Sequence, residues 1–225
     1  MKIGVVSGMP RETACLKSSI RERHKFNTST GVGAREAERV ANAFVDAGVS
    51  GLMSFGVAGG LSADVPAGTI VLANTVLDGE FTHLADKAWL SRLEIAIMGQ
   101  CPFVIGPVIG TDKLVPSVAG KQEILHRKGA IACDMESHAV ARVAALHDLP
   151  FAVVRAISDP YDRNVPDWLF RCLTSVGEVQ LLRLFFQASL RPLAWRELLN
   201  LGLDAKKAFS SLRRVAFCLG PGLRF

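Results

Sequence analysis

Phe151–Ile157 is a continuous apolar run broken only by Arg155, the pattern of an inner strand in a sheet covered on both faces. Such a strand requires helices above and below it, which commits the chain to a layered α/β architecture. Ser158 and Asp159 end the run. In open α/β sheets the ligand crevice lies beyond the carboxyl ends of the strands, so Asp159 at a strand end is better placed for chemistry than an acid mid-helix. Upstream, Asp134-Met135-Glu136 sits at the entrance to Ser137–His147, where Ala139, Val140, Val143, Ala144 and His147 recur at helical spacing. Glu136 is thereby expected at a helix N-terminus, where free backbone N–H groups and the dipole favour an ionised carboxylate. Acids at caps and turns are common, so the spacing alone leaves a purely local role for Glu136 and Asp159 open.

The remaining pattern alternates strands and helices. Lys2–Ser7 reads as a strand that turns at Gly8-Met9-Pro10 into a helix carrying Glu12, Ala14, Leu16 and Ile20. A strand near Phe26–Thr30 leads through Gly31-Val32-Gly33 to a helix over Arg35–Ala47, closed by Gly48. Gly51–Phe55 is predicted as a strand, Gly56–Gly60 as a small-residue loop, and Thr69–Leu77 as another β-rich run. A dinucleotide fingerprint would need a helix directly after the glycines, and no phosphate-loop Gly-Lys-Ser/Thr occurs. An amphipathic segment at Lys87–Met98, a strand at Phe103–Ile109 and a helix at Val118–Arg127 complete a single α/β domain with a largely parallel sheet. Beyond Asp167 only helices are expected, over Val179–Leu190, Leu193–Leu201 and Ala205–Val215, with breaks at Arg191-Pro192 and at Gly202.

Composition narrows the class. With 225 residues and 49% hydrophobic content the chain can bury a large core. It has no run of eighteen or more uncharged apolar residues, and its first residues enter a strand directly, so a cytoplasmic location is expected. Five cysteines without Cys-x-x-Cys indicate neither a disulfide framework nor a metal cluster. His83 and His138 have no partner spacing and read as ordinary polar contacts, so no metal or other cofactor is implied. The net charge of +5 resides in the tail, where Arg171, Arg183, Arg191, Arg196, Lys206, Lys207, Arg213, Arg214 and Arg224 face only Glu178, Glu197 and Asp204. Phe185, Phe186, Trp195 and Phe209 fall at helical core spacing, which argues against a nucleic-acid stacking platform. Packing on the sheet or on a second subunit is the plainer role for these helices. Peripheral contact with an anionic membrane is the sharper one.

Two motifs carry a family resemblance. Asp134-Met-Glu-Ser-His-Ala-Val-Ala141 and Val153-Val-Arg-Ala-Ile-Ser-Asp159 resemble the Met-Glu and Ser-Asp signatures of the nucleoside phosphorylase and methylthioadenosine/S-adenosylhomocysteine nucleosidase superfamily. The likeness takes in the opening Met1–Glu12, Gly31-Val32-Gly33, Ser54–Leu61 and Gly110-Thr111-Asp112. Within that superfamily, Phe55–Leu61, Asp134–His138 and the tail after Arg191 are most similar to the hopanoid-associated phosphorylases, which take adenine off adenosylhopane.

The resemblance implies a three-layer nucleoside-phosphorylase-like domain over residues 1–170, with a central mixed, largely parallel sheet, and a helical extension over 171–225 packed on or continuing the same domain. It implies an enzyme that cleaves the N-glycosidic bond of an adenine nucleoside with a bulky apolar 5′ group, acting as a homodimer or larger homo-oligomer. Methylthioadenosine or S-adenosylhomocysteine is the alternative substrate. By the same resemblance Asp159, supported by Ser158, is the general acid at purine N7, Glu12 is the general base for water, and Glu136 grips the ribose hydroxyls with Met135 under the ring. Asp134, Met9, Gly59, Leu114 and Val115 complete the substrate-contacting set, the last two as an apolar sandwich for the base. For the nucleophile, the related phosphorylases carry an arginine and a serine on the loop where this chain has Ser54 and Val57. Arg11 and Arg35 are the remaining candidate phosphate ligands. A glutamate at that place repels a phosphate dianion, so hydrolysis is favoured. A nucleoside binder without catalysis would not need both Glu12 and Asp159, and both are present.

Overall fold

The computed structural model describes residues 2–19, 26–166, 168, 194–220 and 222–225. Within them the strands are β1 (Ile3–Ser7), β2 (Phe26–Thr30), β3 (Gly51–Gly60), β4 (Ile70–Asp78), β5 (Phe81–Leu84), β6 (Phe103–Gly110), β7 (Ala132–Asp134) and β8 (Phe151–Asp159). The helices are α1 (Pro10–Ser19), α2 (Ala34–Asp46), α3 (Lys87–Ile97), α4 (Val118–Lys128), α5 (Ser137–Leu146) and, after the tail segment, α6 (Ala194–Leu219). All eight strands belong to one mixed sheet. β8 pairs parallel with β3 and antiparallel with β4, β4 pairs with β6, β6 with β7, and β7 returns to the end of β3. The pairings therefore close a ring, with β1 and β2 extending it from β3 and β5 from β4.

Alternation along the strands sorts the core into two layers. Ala152, Val154 and Ala156 of β8 join Ile3, Val5 and Phe55 beneath Leu16 of α1, Trp89 and Leu93 of α3, and Phe209 and Leu212 of α6. Phe151, Val153 and Ile157 face the other way, onto Ala37, Val40 and Phe44 of α2 and Val140 and Val143 of α5. Arg155 shares the parity of this second set, so its side chain points into the layer that holds the α5 N-terminus. A third, smaller cluster of Leu61, Ile109, Ala130 and Cys133 sits beneath Ile124 and Leu125 of α4.

Three expectations need correction. Gly56–Gly60 is not a loop: β3 continues to Gly60 because β8 pairs with it through Gly59 and β7 pairs at Gly59 and Gly60. Its small residues serve close approach instead, since a Cβ on Gly56 would stand 2.5 Å from both Arg155 Nη1 and Glu12 Oε1. The predicted helices Leu193–Leu201 and Ala205–Val215 are one helix, α6, which runs through Gly202. Packing overrides the weak glycine break, because Ala208, Phe209, Leu212, Val215, Ala216 and Leu219 are buried in the core. β5 and the three-residue β7 were not expected; the residues of β5 are mostly exposed and carry no core alternation. The segment Val179–Leu190 lies outside the described residues.

Gly202 is exposed, a Cβ there would meet no atom within 4 Å, and its φ is not positive. Gly202→Ala should therefore stabilise the protein by about 0.5–1 kcal/mol, read as a rise of roughly 1–4 °C in Tm with unchanged turnover. A lower Tm would show that α6 does not need helical continuity there.

Candidate functional site

The site is built around a buried guanidinium. Arg155 is 0% exposed, and a charge so placed is tolerated only when its donors are all used. Its Nε lies 2.8 Å from Asp134 Oδ2. Nη2 donates to Ser54 Oγ at 2.7 Å and to Ser137 Oγ at 3.1 Å, Nη1 donates to the Val57 carbonyl at 3.3 Å, and Glu136 Oε2 is 3.5 Å from Nη2. Burial alone would loosen its proton, but Asp134, Glu136 and Glu12 outweigh that and raise its pKa.

Asp134 and Glu136 divide the labour at the α5 N-terminus differently from the expectation. Asp134 Oδ1 accepts from the backbone N–H groups of Glu136 (2.9 Å) and Ser137 (2.7 Å), and Oδ2 accepts from the Ser137 hydroxyl while facing Arg155. The helix end is thus satisfied by Asp134, both of whose carboxylate oxygens have protein partners. Glu136 occupies the N-cap position but makes no capping bond. Its Oε1 accepts from Gly33 N–H at 3.1 Å. The expected ionised state does not follow, because burial pushes its carboxyl up to about 7, with Arg155 opposing and Asp134 and Glu12 adding to the rise.

Glu12, in the first turn of α1, is 2% exposed. Oε2 accepts from Met9 N–H at 2.7 Å and Oε1 from Val57 N–H at 2.8 Å, so the turn after β1 and the strand β3 hold the carboxylate in one orientation. Burial raises its pKa against the pull of Arg155 and of the Val57, Met9 and Gly8 amides. A raised pKa makes the ionised form a stronger proton acceptor, as a base for water requires.

Across the sheet end lies a small cavity lined by Gly59, Thr111, Leu114, Val115, Cys133, Asp134, Met135, Asp159 and Val165. The β3/β8 register shifts at Ala58/Gly59 and sets Gly59 opposite Asp159, a bulge that re-aims the strand end. The approach is close there, since a Cβ would stand 3.0 Å from Asp159 Oδ2 and 3.2 Å from Cys133 Sγ and would press on both. Asp159 Oδ1 accepts from the Ser158 hydroxyl at 2.9 Å, and Oδ2 lies 2.9 Å from Lys121 Nζ. Burial pushes the Cys133 thiol up to about 12, so it is an inert wall.

The structure therefore brings Asp159, Gly59, Leu114, Val115, Asp134 and Met135 to one cavity and Glu12 and Glu136 to the Arg155 cluster beside it. Met9 is half-buried and packs on the core while its amide holds Glu12. Neither candidate phosphate arginine lines that cavity. Arg11 places its guanidinium 4.3 Å over the Phe209 ring of α6, and Arg35 lies on the first turn of α2. Sequence reasoning missed Arg155, Ser137 and Lys121. For Arg155 the signal was present, because a charge inside an apolar strand demands buried partners; Lys121, within a helix of mixed composition, gave none.

Comparison with known proteins gives a coherent picture. A family model described as the phosphorylase superfamily matches residues 2–171. Among solved structures, 5′-methylthioadenosine/S-adenosylhomocysteine nucleosidase from Helicobacter pylori, complexed with a substituted pyrrolidin-3-ol, superposes with a TM-score of 0.72 at 16% identity, covering 97% of this chain and 96% of that one. The Neisseria meningitidis enzyme of the same name, with methylthio-immucillin-A, gives 0.72 at 16% identity over 97% and 98%. Futalosine hydrolase of H. pylori gives 0.70 at 17% identity over 96% and 97%. At these identities the likeness shows a shared fold.

The raised Glu136 pKa has a thermodynamic sign. Below its ordinary value of 4.5 the carboxyl is protonated in folded and unfolded chains alike; between 4.5 and about 7 the unfolded chain ionises first, so rising pH favours unfolding, and above about 7 the full cost is in place. Glu136→Gln should thus gain Tm relative to the parent as pH rises from 4.5 to about 7, and hold that gain above it. A Tm difference independent of pH would contradict the buried, proton-retaining carboxyl.

Proposed function

Because the chain belongs to the phosphorylase superfamily, we propose that it cleaves the N-glycosidic bond of an adenine nucleoside with water as the nucleophile. One observation carries the choice of nucleophile: three carboxylates, Glu12, Asp134 and Glu136, surround the single guanidinium of Arg155. That cluster is anionic when its members ionise, and it repels a phosphate dianion while suiting neutral water. Ser54, at the position where the related phosphorylases anchor phosphate, spends its hydroxyl on Arg155 and Ser137. Arg11 is stacked on Phe209.

In this reading the purine enters the cavity between Leu114, Val115 and Val165, with N7 at Asp159. The C1′–N9 bond breaks as Asp159, protonated on Oδ1 with the Ser158 hydroxyl turned to the Ala58 carbonyl, gives that proton to N7, so the base leaves as neutral adenine. Water adds its oxygen to C1′, and its proton passes to Glu12. Glu136 accepts hydrogen bonds from the ribose hydroxyls, and the negative surround of the site stabilises the developing positive charge on the sugar.

For the 5′ group we favour a large hydrocarbon, as in adenosylhopane, giving ribosylhopane and adenine. Sequence likeness supports this, as does a stripe on α6 where Trp195, Leu199 and Leu203 are exposed beside Arg196 and Lys206. These residues suit reversible contact with an anionic membrane holding such a substrate. Among the described residues no helix is long and apolar enough to cross a membrane. Assembly of two or more copies would also cover exposed Phe81, Leu84 and Leu146.

Adenine release from adenosylhopane in detergent micelles, set against methylthioadenosine, tests the substrate. The reading expects kcat/KM at least about tenfold higher for the lipid nucleoside; the reverse preference would make the chain a methylthioadenosine nucleosidase. Asp159→Asn should lower adenine release by roughly a hundredfold to ten-thousandfold, and it should also lower Tm, because the buried Lys121 ammonium loses its counter-charge. Turnover within about threefold of the parent, short of any general-acid effect, would remove Asp159 from its role.

A further inference from the structure

Lys121 lies in the first turns of α4 and is 0% exposed, although lysine is almost never fully buried unless it is paired. Its Nζ has four oxygens within reach: Asp159 Oδ2 at 2.9 Å and the carbonyls of Asp159 (3.0 Å), Pro160 (3.0 Å) and Arg163 (3.2 Å). An ammonium has three N–H groups, so these acceptors use them all. One turn earlier, Val118 N–H donates to Asn164 Oδ1 at 2.9 Å, and Val165 N–H donates to the Pro116 carbonyl at 2.8 Å. The start of α4 and the segment after β8 are thereby stapled at three levels. The staple joins the two walls of the purine cavity, Leu114 and Val115 on one side, Asp159 and Val165 on the other.

The pairing leaves the two carboxyl oxygens of Asp159 unequal. Oδ2 is held by an ammonium that is itself fixed by three main-chain carbonyls. Oδ1 has only the Ser158 hydroxyl, which also lies 3.4 Å from the Ala58 carbonyl and can turn to it. Oδ1 is therefore the oxygen that can carry the acid's proton and present it to an incoming base once Ser158 turns away.

We propose that Lys121 is a positioning residue for leaving-group departure: by pinning Asp159 Oδ2 and the 159–163 main chain, it presents Oδ1 to N7 of the purine. This rests on Asp159 acting as the general acid. Proton transfer needs the donor oxygen within hydrogen-bond reach of the base, and a misplacement of about 1 Å can cost roughly a hundredfold.

The test uses the full chain and two substrates, an adenine nucleoside that must be protonated to leave and 4-nitrophenyl β-D-riboside, whose phenolate leaves without a proton. Lys121→Met should lower kcat for the adenine nucleoside by roughly a hundredfold, with KM and turnover of the nitrophenyl riboside within about threefold of the parent. Lys121→Gln, which retains an amide donor for the carbonyls, is scored by the same ratio and decides the matter if the Met variant does not fold. Equal losses on both substrates would make Lys121 a structural strut only, and loss on neither would remove it from the reaction; either result overturns the proposal. Asp159→Asn is measured in parallel. If it fails to split the two substrates, the general-acid reading itself falls; if it splits them and the Lys121 variants do not, only the role of Lys121 falls.

Discussion

Burial of the Arg155 guanidinium is the constraint from which the rest of the site follows. A bare charge at that depth would cost several kcal/mol, so the fold surrounds it with Asp134, Glu136, Ser54, Ser137 and the Val57 carbonyl. The partners come from three places: β3, the end of β7, and the entrance to α5. Satisfying Arg155 therefore locks the carboxyl ends of the central strands into one arrangement. Gly56 is part of the same solution, because any side chain there would collide with Arg155 and Glu12. The ring of strands brings β7 and β8 to opposite sides of the β3 glycines, which places the Arg155 cluster and the cavity at Asp159 side by side.

This arrangement explains why two glutamates retain protons more strongly than free carboxylates do. Burial raises both Glu12 and Glu136 against the pull of the one guanidinium, and at Glu136 the charges of Asp134 and Glu12 add to the rise. The consequence for function is a site with an excess of negative potential when ionised. Such a site disfavours anionic nucleophiles and favours a cationic transition state on the sugar. Asp159 is set apart from the cluster and tied to Lys121 instead, so the two ends of the site are held by separate electrostatic groups.

Much of the fold was legible because strong apolar periodicity has few solutions. The β8 run, the α2 and α5 stripes and the alternation of strand and helix all follow from it. The glycine stretch after Phe55 misled because glycine signals a loop by propensity, whereas here it signals close approach of Arg155 and Asp159 within a strand. Gly202 misled for the opposite reason: a modest local penalty is overridden by burial of Phe209, Leu212 and Val215. At the site, motif likeness named the acids that the structure gathers, but not their division of labour. That Asp134 caps α5 while Glu136 turns away depends on where Arg155 and Gly33 lie in space, which no local pattern encodes. Lys121 is the extreme case, since its partners lie 38 or more positions along the chain.

The central claim is that this anionic cluster delivers water and excludes phosphate. Turnover of an adenine nucleoside in ¹⁸O-labelled water with saturating inorganic phosphate, followed by mass spectrometry of the sugar product, tests it directly. The account predicts one ¹⁸O atom at C1′ and a rate indifferent to phosphate. A ribose 1-phosphate product, with release of adenine dependent on phosphate, would contradict it.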